Sequence, residues 1–256
     1  MKFDDLDRKM RVFETAADMC VLPGMYMIAR LDGRSFTRLT KEICDFEAPF
    51  DVRFRDLMVA TTEALMTCGF QVRYAYTESD EISLLFDPDE QLFGRKLRKY
   101  HSTLAGEASA QFSLKLGQPA SFDCRISQMP SIELVLDYFR WRQEDAARNA
   151  LNAWCYWTLR KEGLSVAQAT SELLGRSTRQ KNELLFEYGI NFNDLPHWQK
   201  RGVGLLWEQY DKIAVNRKTN ETTTARRKRI RTEDHLPMKE EYHRFLQQMI
   251  CPLQPA

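Results

Sequence analysis

The sequence predicts an α+β fold: a ferredoxin-like β-α-β-β-α-β unit with an antiparallel sheet, followed by a mainly helical C-terminal lobe. Three observations predict it. Two β-rich runs, 71–76 (QVRYAY) and 82–86 (ISLLF), are separated only by the polar segment TESDE, the signature of a hairpin. Segments of helical spacing, 51–67 and 91–116, alternate with strand-like runs at 25–31 and 121–127. Beyond Pro130 the pattern turns helical and stays so to residue 187. The expected boundary is therefore near residue 130, with an N-terminal helix and the α/β unit in 1–130 and the lobe in 131–256.

Each element has its own signal. Residues 1–19 are polar and amphipathic, which predicts a helix ahead of the unit. The short apolar run MYMIARL (25–31) predicts a buried strand, punctuated by Asp32-Gly33-Arg34. In 51–67, Phe54, Leu57, Met58, Leu65 and Met66 fall on one helical face, and Cys68-Gly69 closes the helix. Residues 91–116 predict a long helix with Arg95, Lys96, Arg98 and Lys99 in its first turns, broken by Gly117-Gln118-Pro119. SFDCRIS (121–127) is the last strand of the unit. The lobe is expected to hold helices over 131–162, 165–174, 177–187 and 239–249, a strand over 204–216, and a basic strand at 225–231 (ARRKRIR).

In this topology the first and third strands pair at the centre of the sheet. The end of strand one and the turn between strands two and three then share an edge, which brings Asp32 and Asp80-Glu81 together.

Composition excludes several classes. Lys plus Arg number 37 against 36 Asp plus Glu, a net charge of +1, so this is no polybasic protein, although a local basic site stays open. No run of 18 apolar residues exists, so no transmembrane helix is expected. The N-terminus lacks an apolar signal core, which makes the cytosol the expected compartment. Cysteines at 20, 44, 68, 124, 155 and 251 form no CxxC pair, and HExxH and GxSxG are absent, which argues against a zinc site, a disulfide scaffold and a hydrolase elbow.

Four features point to chemistry. Carboxylates at strand ends in one cleft repel each other unless a cation separates them, and a hard ion such as Mg²⁺ takes carboxylate, carbonyl and phosphate oxygens. Asp32, Asp80 and Glu81 fit that need, with the Gly33 carbonyl left open beside them; read singly, Asp32-Gly33 and Ser79-Asp80-Glu81 are equally well turns. Arg95, Lys96, Arg98 and Lys99 suit a triphosphate or a solvated helix face. Arg227, Arg229 and Arg231 alternate, so on a strand they share a face that suits a nucleic-acid backbone or simply guards a sheet edge. Lys181-Asn182-Glu183 alone is only helix surface, and Trp141, Trp154 and Trp157 read more readily as core than as stacking platforms.

Taken in order, the segments ARLDGRSF (29–36), YTESDEISLLF (76–86), SFDCRISQMPS (121–131), YFRWRQEDAARNALN (138–152), KNELLF (181–186) and NDLPHWQKRGVGLLW (193–207) resemble the tRNA-histidine guanylyltransferase superfamily of 3′–5′ nucleotide-adding enzymes. The resemblance covers nearly the whole chain. It implies a polymerase-like palm with two Mg²⁺ ions held by Asp32, the Gly33 carbonyl and Asp80, with Glu81 supporting the site. It further implies nucleotide contacts from Arg30, Arg34, Ser35, Phe36, Ser79 and Asn182, with Lys96 and Lys99 on phosphates. Lys200, Arg201, Arg227, Arg229 and Arg231 are the candidates for the tRNA backbone. ATP and GTP or other NTPs are the implied substrates, tRNA the implied partner, and a homo-oligomer, commonly a tetramer, the implied assembly.

One departure bears on specificity. Where the guanylyltransferases proper carry a His-Ile-Asn-Asn-Leu-Tyr-Asn stretch, this chain has Ala147-Arg148-Asn149-Ala150-Leu151-Asn152-Ala153, and Thr37 stands where many members have His. That resembles the bacterial and archaeal guanylyltransferase-like branch, whose members rebuild 5′-truncated tRNA. The expected activity is therefore templated 3′–5′ addition after ATP-dependent 5′ activation. The alternatives are a single G added to histidine tRNA or, more remotely, a palm-type nucleotide cyclase.

Overall fold

The computed structural model describes residues 1–215 and 222–250. Asn216 and Cys251, which the sequence reading placed in a strand and among the cysteines, lie outside the described residues. Helix α1 (Phe3–Thr15) buries none of its side chains. Strand β1 (Tyr26–Gly33) leads into a short helix α2 (Phe36–Arg38) and a π-turn over Leu39–Ile43. Then come α3 (Val52–Thr67), β2 (Val72–Glu78), β3 (Glu81–Phe86), α4 (Leu97–Leu116) and β4 (Phe122–Met129). The 30-residue helix α5 (Ile132–Lys161) follows, then α6 (Val166–Leu173), α7 (Thr178–Glu187), α8 (His197–Arg201), β5 (Val203–Val215), β6 (Thr222–Glu233) and α9 (Lys239–Ile250).

The β-α-β-β-α-β order is present, and β1 and β3 pair antiparallel in the middle of one sheet, ordered β4-β1-β3-β2-β5-β6. Two features differ from the sequence expectation. The helix expected from residue 91 begins at Leu97, because Phe93, Gly94 and Arg95 hold positive φ values that no α-helix tolerates. And the strands of the mainly helical second half join the sheet of the first half, β5 pairing with β2. Pairing between distant strands leaves no local sequence signal.

Both sheet faces are covered over most of their length. Alternation sends Ala29, Leu31, Leu84 and Phe86 to one side, where α3 and α4 pack with Met58, Leu65, Tyr100, Leu104 and Phe112. Ile28, Leu85, Tyr74 and Tyr76 point to the other side, against Val135 and Phe139 of α5 and Leu246 of α9. Strand β3 is buried along its whole length, which is why ISLLF reads as a continuous apolar run. A third core joins the far half of α5 to α6 and α7 through Leu151, Cys155, Leu159 and Leu185. Among the described residues no helix is long and apolar enough to cross a membrane.

Candidate active site

The carboxylates converge where the topology requires. Asp32 and Glu81 are direct partners across the β1–β3 ladder, and the Gly33 amide donates to the Asp80 carbonyl at 3.0 Å, tying strand end to hairpin turn. Ser79, at φ 47°, makes the tight turn, and its hydroxyl donates to Asp80 Oδ1 at 3.2 Å. By alternation Asp32 and Arg30 share the face of Ile28, the side of α5 and away from α3 and α4.

The loop after β1 is fixed from beneath. Phe36 is 3% exposed and packs among Phe54, Phe112 and Phe122, with ring centroids 5.0–6.1 Å apart. Any Cβ at position 33 would lie 2.5 Å from the Phe36 ring, so only glycine permits this close approach. Phe36 is thus an anchor of the loop, and its side chain faces the core. Arg34 and Ser35 are exposed, and the Arg34 amide donates to Ser121 O at 2.8 Å.

Electrostatics at the edge are strained in the direction a cation relieves. Burial, and secondarily the charge of Asp32, push the Asp80 carboxyl up to about 6. Burial, then Glu81, pushes Glu78 up to about 8. Burial also raises Glu81, opposed by Arg142 of α5, whose Nε and Nη2 donate to its two oxygens at 2.7 Å each. Arg30 stands 3.7 Å from the same carboxylate. The donor set at the edge is all oxygen, carboxylates with a backbone carbonyl, and it fits a hard divalent ion rather than a thiophilic one.

A cleft lies beside this edge and reaches it at Glu78 and Ser79. Thr77, Glu78 and Ser79 line it together with Phe50, Trp157 and Trp198. Two cations line it: Lys41 lies 4.9 Å over the Trp157 ring, and the Arg55 guanidinium 4.9 Å over Trp198. Acidic and hydroxyl side chains, aromatic rings and two cations in one cleft are chemistry that suits a nucleotide.

Comparison with known proteins agrees with that chemistry. A family profile described as "Thg1: tRNAHis guanylyltransferase" matches residues 7–130, and "Thg1 C terminal domain" matches 133–244. The chain belongs to the tRNA(His) guanylyltransferase family. The tRNA(His) guanylyltransferase of Debaryomyces hansenii is 33% identical over 236 residues, covering 87% of each chain. A probable tRNA(His) guanylyltransferase of Mus musculus is 33% identical over 207 residues, 77% of this chain and 69% of that one. Among solved structures, a bacterial tRNA(His) guanylyltransferase (Thg1)-like protein in complex with ATP superposes with a TM-score of 0.74 at 25% identity, covering 96% and 99% of the two chains. The Saccharomyces cerevisiae tRNA(His) guanylyltransferase gives 0.70 at 27% identity, over 75% of this chain and 90% of that one. These neighbours share the palm-type fold.

Several residues singled out from the sequence of this family member lie elsewhere. Lys96 and Lys99 sit at the far end of β1: Arg95 Nη2 donates to Met25 O at 2.5 Å, and Lys96 bridges to Cys20. Seven residues of strand separate Met25 from Asp32, about 23 Å at ~3.3 Å per residue. Lys96 pairs with Asp18 at 3.0 Å and Arg98 pairs with the same carboxylate, which these two cations hold down at about 2. Arg95 is 3% exposed and structural. Lys200, expected on the tRNA backbone, is turned inward, its Nζ donating to Phe192 O and Asn193 O at 3.2 and 2.6 Å. Arg201 donates to Leu236 O at 2.9 Å. Both cations serve backbone carbonyls, and that of Phe192 also accepts from the Leu195 amide at 3.4 Å. Asn182 caps no cleft wall either: its amide donates to Thr178 O within α7, and it borders a separate hollow with Phe186 and Phe192.

Arg227, Arg229 and Arg231 do alternate along β6, on the β5–β6 hairpin that forms the sheet's edge. Arg229 is held by Glu208 at 2.7 Å, and Arg231 lies 3.6 Å from Glu233. The sequence reading missed Lys41, Arg55 and Arg142. A single cation on a predicted helix looks like a solvated face, and only the fold shows what it meets.

Proposed function

We propose that this protein is a divalent-metal-dependent nucleotidyltransferase that extends the 5′ end of tRNA in the 3′–5′ direction, rebuilding truncated tRNA against a template nucleotide. The observation that carries the proposal is that the cleft, lined by Glu78 and Ser79, lies beside the carboxylate edge, where the Ser79 hydroxyl donates to Asp80 Oδ1. The bacterial Thg1-like neighbours, described as complexes with GTP and with ATP, support nucleoside triphosphates as substrates. Ala147 and Ala153, in place of the His and Asn of the histidine-specific enzymes, support repair over single-G addition.

Asp32, Asp80 and the Gly33 carbonyl are the residues that would hold Mg²⁺. When bound, the ions would supply the positive charge that acidifies an attacking hydroxyl and neutralises a triphosphate. Trp157 and Trp198 would contact the base from the cleft wall, while Lys41 and Arg55, seated against those rings, would offer charge to the nucleotide. In the first step a 5′-phosphate oxygen of tRNA attacks the α-phosphorus of ATP, and pyrophosphate leaves. In the second, the 3′-hydroxyl of an incoming NTP attacks the activated 5′-phosphate, and AMP leaves.

Assembly as a homo-oligomer, tetrameric in the family resemblance, belongs to the same proposal. Phe3 and Phe13 of α1, 77% and 75% exposed, support it. So does the place of Lys96 and Lys99, which from the far end of β1 would serve the phosphates of a second copy.

Incubation of 5′-monophosphorylated tRNA with Mg²⁺ and ATP labelled at the α-phosphate tests the activation step. The expected result is phosphatase-resistant label on the tRNA with the wild type and none with Asp80→Asn. Conversion of the nucleotide to a cyclic product without tRNA would replace this reading with a cyclase.

A further inference from the structure

Arg142 lies on α5, outside the palm unit, yet it reaches the carboxylate edge. Its fork closes on Glu81 with two parallel contacts of 2.7 Å, and Arg142 and Glu81 are 6% and 7% exposed. Its remaining nitrogen faces Asp145 at 3.4 Å, and Glu78 lies 3.9 Å from Nη2. Glu81 is also the ladder partner of Asp32, and Arg30 approaches it from β1 at 3.7 Å. Five charged side chains from β1, β2, β3 and α5 therefore share one network directly behind the edge.

We infer that Arg142 is a positioning residue: by occupying both oxygens of Glu81 it fixes that carboxylate away from the open edge and sets the β1–β3 register point at which Asp32 projects. The inference rests on the proposed metal edge. The geometry needs arginine. A planar fork defines the Glu81 rotamer through two bonds, whereas an ammonium supplies charge without orientation. With Glu81 turned toward Arg142, and Glu78 and Asp145 also facing that guanidinium, Asp32 and Asp80 are the edge carboxylates that Arg142 does not engage.

Three variants separate positioning from mere stability: Arg142→Lys, Arg142→Met, and Arg142→Met with Glu81→Gln. Each is followed by thermal unfolding, by Mn²⁺ binding from the free-ion EPR signal, and by kcat and KM for the NTP, assayed well below the lowest melting temperature. In Arg142→Lys we expect kcat to fall at least tenfold and Mn²⁺ affinity to weaken, with KM for the NTP within threefold of wild type, because Glu81 and its ladder partner Asp32 lose their fixed placement while the residues lining the cleft are untouched. In the neutral pair we expect the melting temperature lost in Arg142→Met to return, since no unpaired buried charge remains, and kcat to stay low. Wild-type kcat in Arg142→Lys, or recovery of kcat together with stability in the neutral pair, overturns the inference and leaves a structural salt bridge. A wild type that binds no Mn²⁺ instead removes the metal edge itself, and the inference with it.

Discussion

Asp80→Asn should make the metal-free protein more stable above neutral pH while abolishing nucleotidyl transfer. The Asp80 carboxyl is raised from 3.8 to about 6, by burial first and by Asp32 second. A carboxyl whose folded pKa lies above its unfolded value favours the folded state fully only below the unfolded value, near 4. That favour is lost as pH rises through 6, where the folded protein must hold the charge. The 2.2-unit difference, at about 1.4 kcal/mol per unit, amounts to a cost of about 3 kcal/mol at pH 8. Asparagine keeps the shape and an oxygen that accepts from Ser79, and it carries no charge. In EDTA at pH 8 the variant should melt roughly 6 °C above the wild type, a gap that closes by pH 4. Added Mg²⁺ should raise the wild type by mass action and leave the variant unmoved. Scanning calorimetry at several pH values reads all of this. A variant that melts at or below the wild type in EDTA at pH 8 would refute the reasoning, because Asp80 would then be a favourable structural charge.

Three further outcomes are expected. Gly33→Ala forces a Cβ against the Phe36 ring at 2.5 Å, so it should cost about 1–3 kcal/mol and displace Asp32, lowering kcat more than it raises the KM for NTP. Arg227, Arg229 and Arg231 changed together to Gln should flatten the salt dependence of tRNA binding by up to about three in slope, measured by filter binding, and leave the KM for NTP unchanged; an unaltered slope makes β6 a guarded sheet edge. The pH profile of kcat/KM should have an acid limb at or below pH 6, since protonation of Asp80, at about 6 without metal, competes with metal binding. A limb unaffected by Mg²⁺ concentration would assign it to another group.

The central unit and the meeting of Asp32 with Asp80 were legible because both rest on local signals. Strand period, helix period and a five-residue polar turn leave few topologies, and the topology itself brings a strand end and a hairpin turn to one edge. What was not legible depends on side chains that meet across long stretches of sequence. The fork of Arg142 on Glu81 spans 61 residues. In the sequence Lys200 reads as a surface cation beside Arg201, whereas the folded chain turns it onto the carbonyls of Phe192 and Asn193. Lys96 and Arg98 carry the composition of a phosphate site but sit at the end of β1 remote from Asp32, paired with Asp18. Charge composition reports what a residue can bind, while distance from the edge is decided by chain direction, and α4 starts at the end of the sheet remote from Asp32.

The most direct test of the account uses a tRNA lacking its first 5′ nucleotide and bearing a 5′-monophosphate, with Mg²⁺, ATP and all four NTPs, while the nucleotide opposite the gap is varied. The account predicts a product one nucleotide longer at its 5′ end, its identity following Watson–Crick pairing on several tRNAs, and no product with Asp80→Asn. Addition of G to histidine tRNA alone would contradict templated repair, and no 5′ addition to any tRNA would contradict the account as a whole.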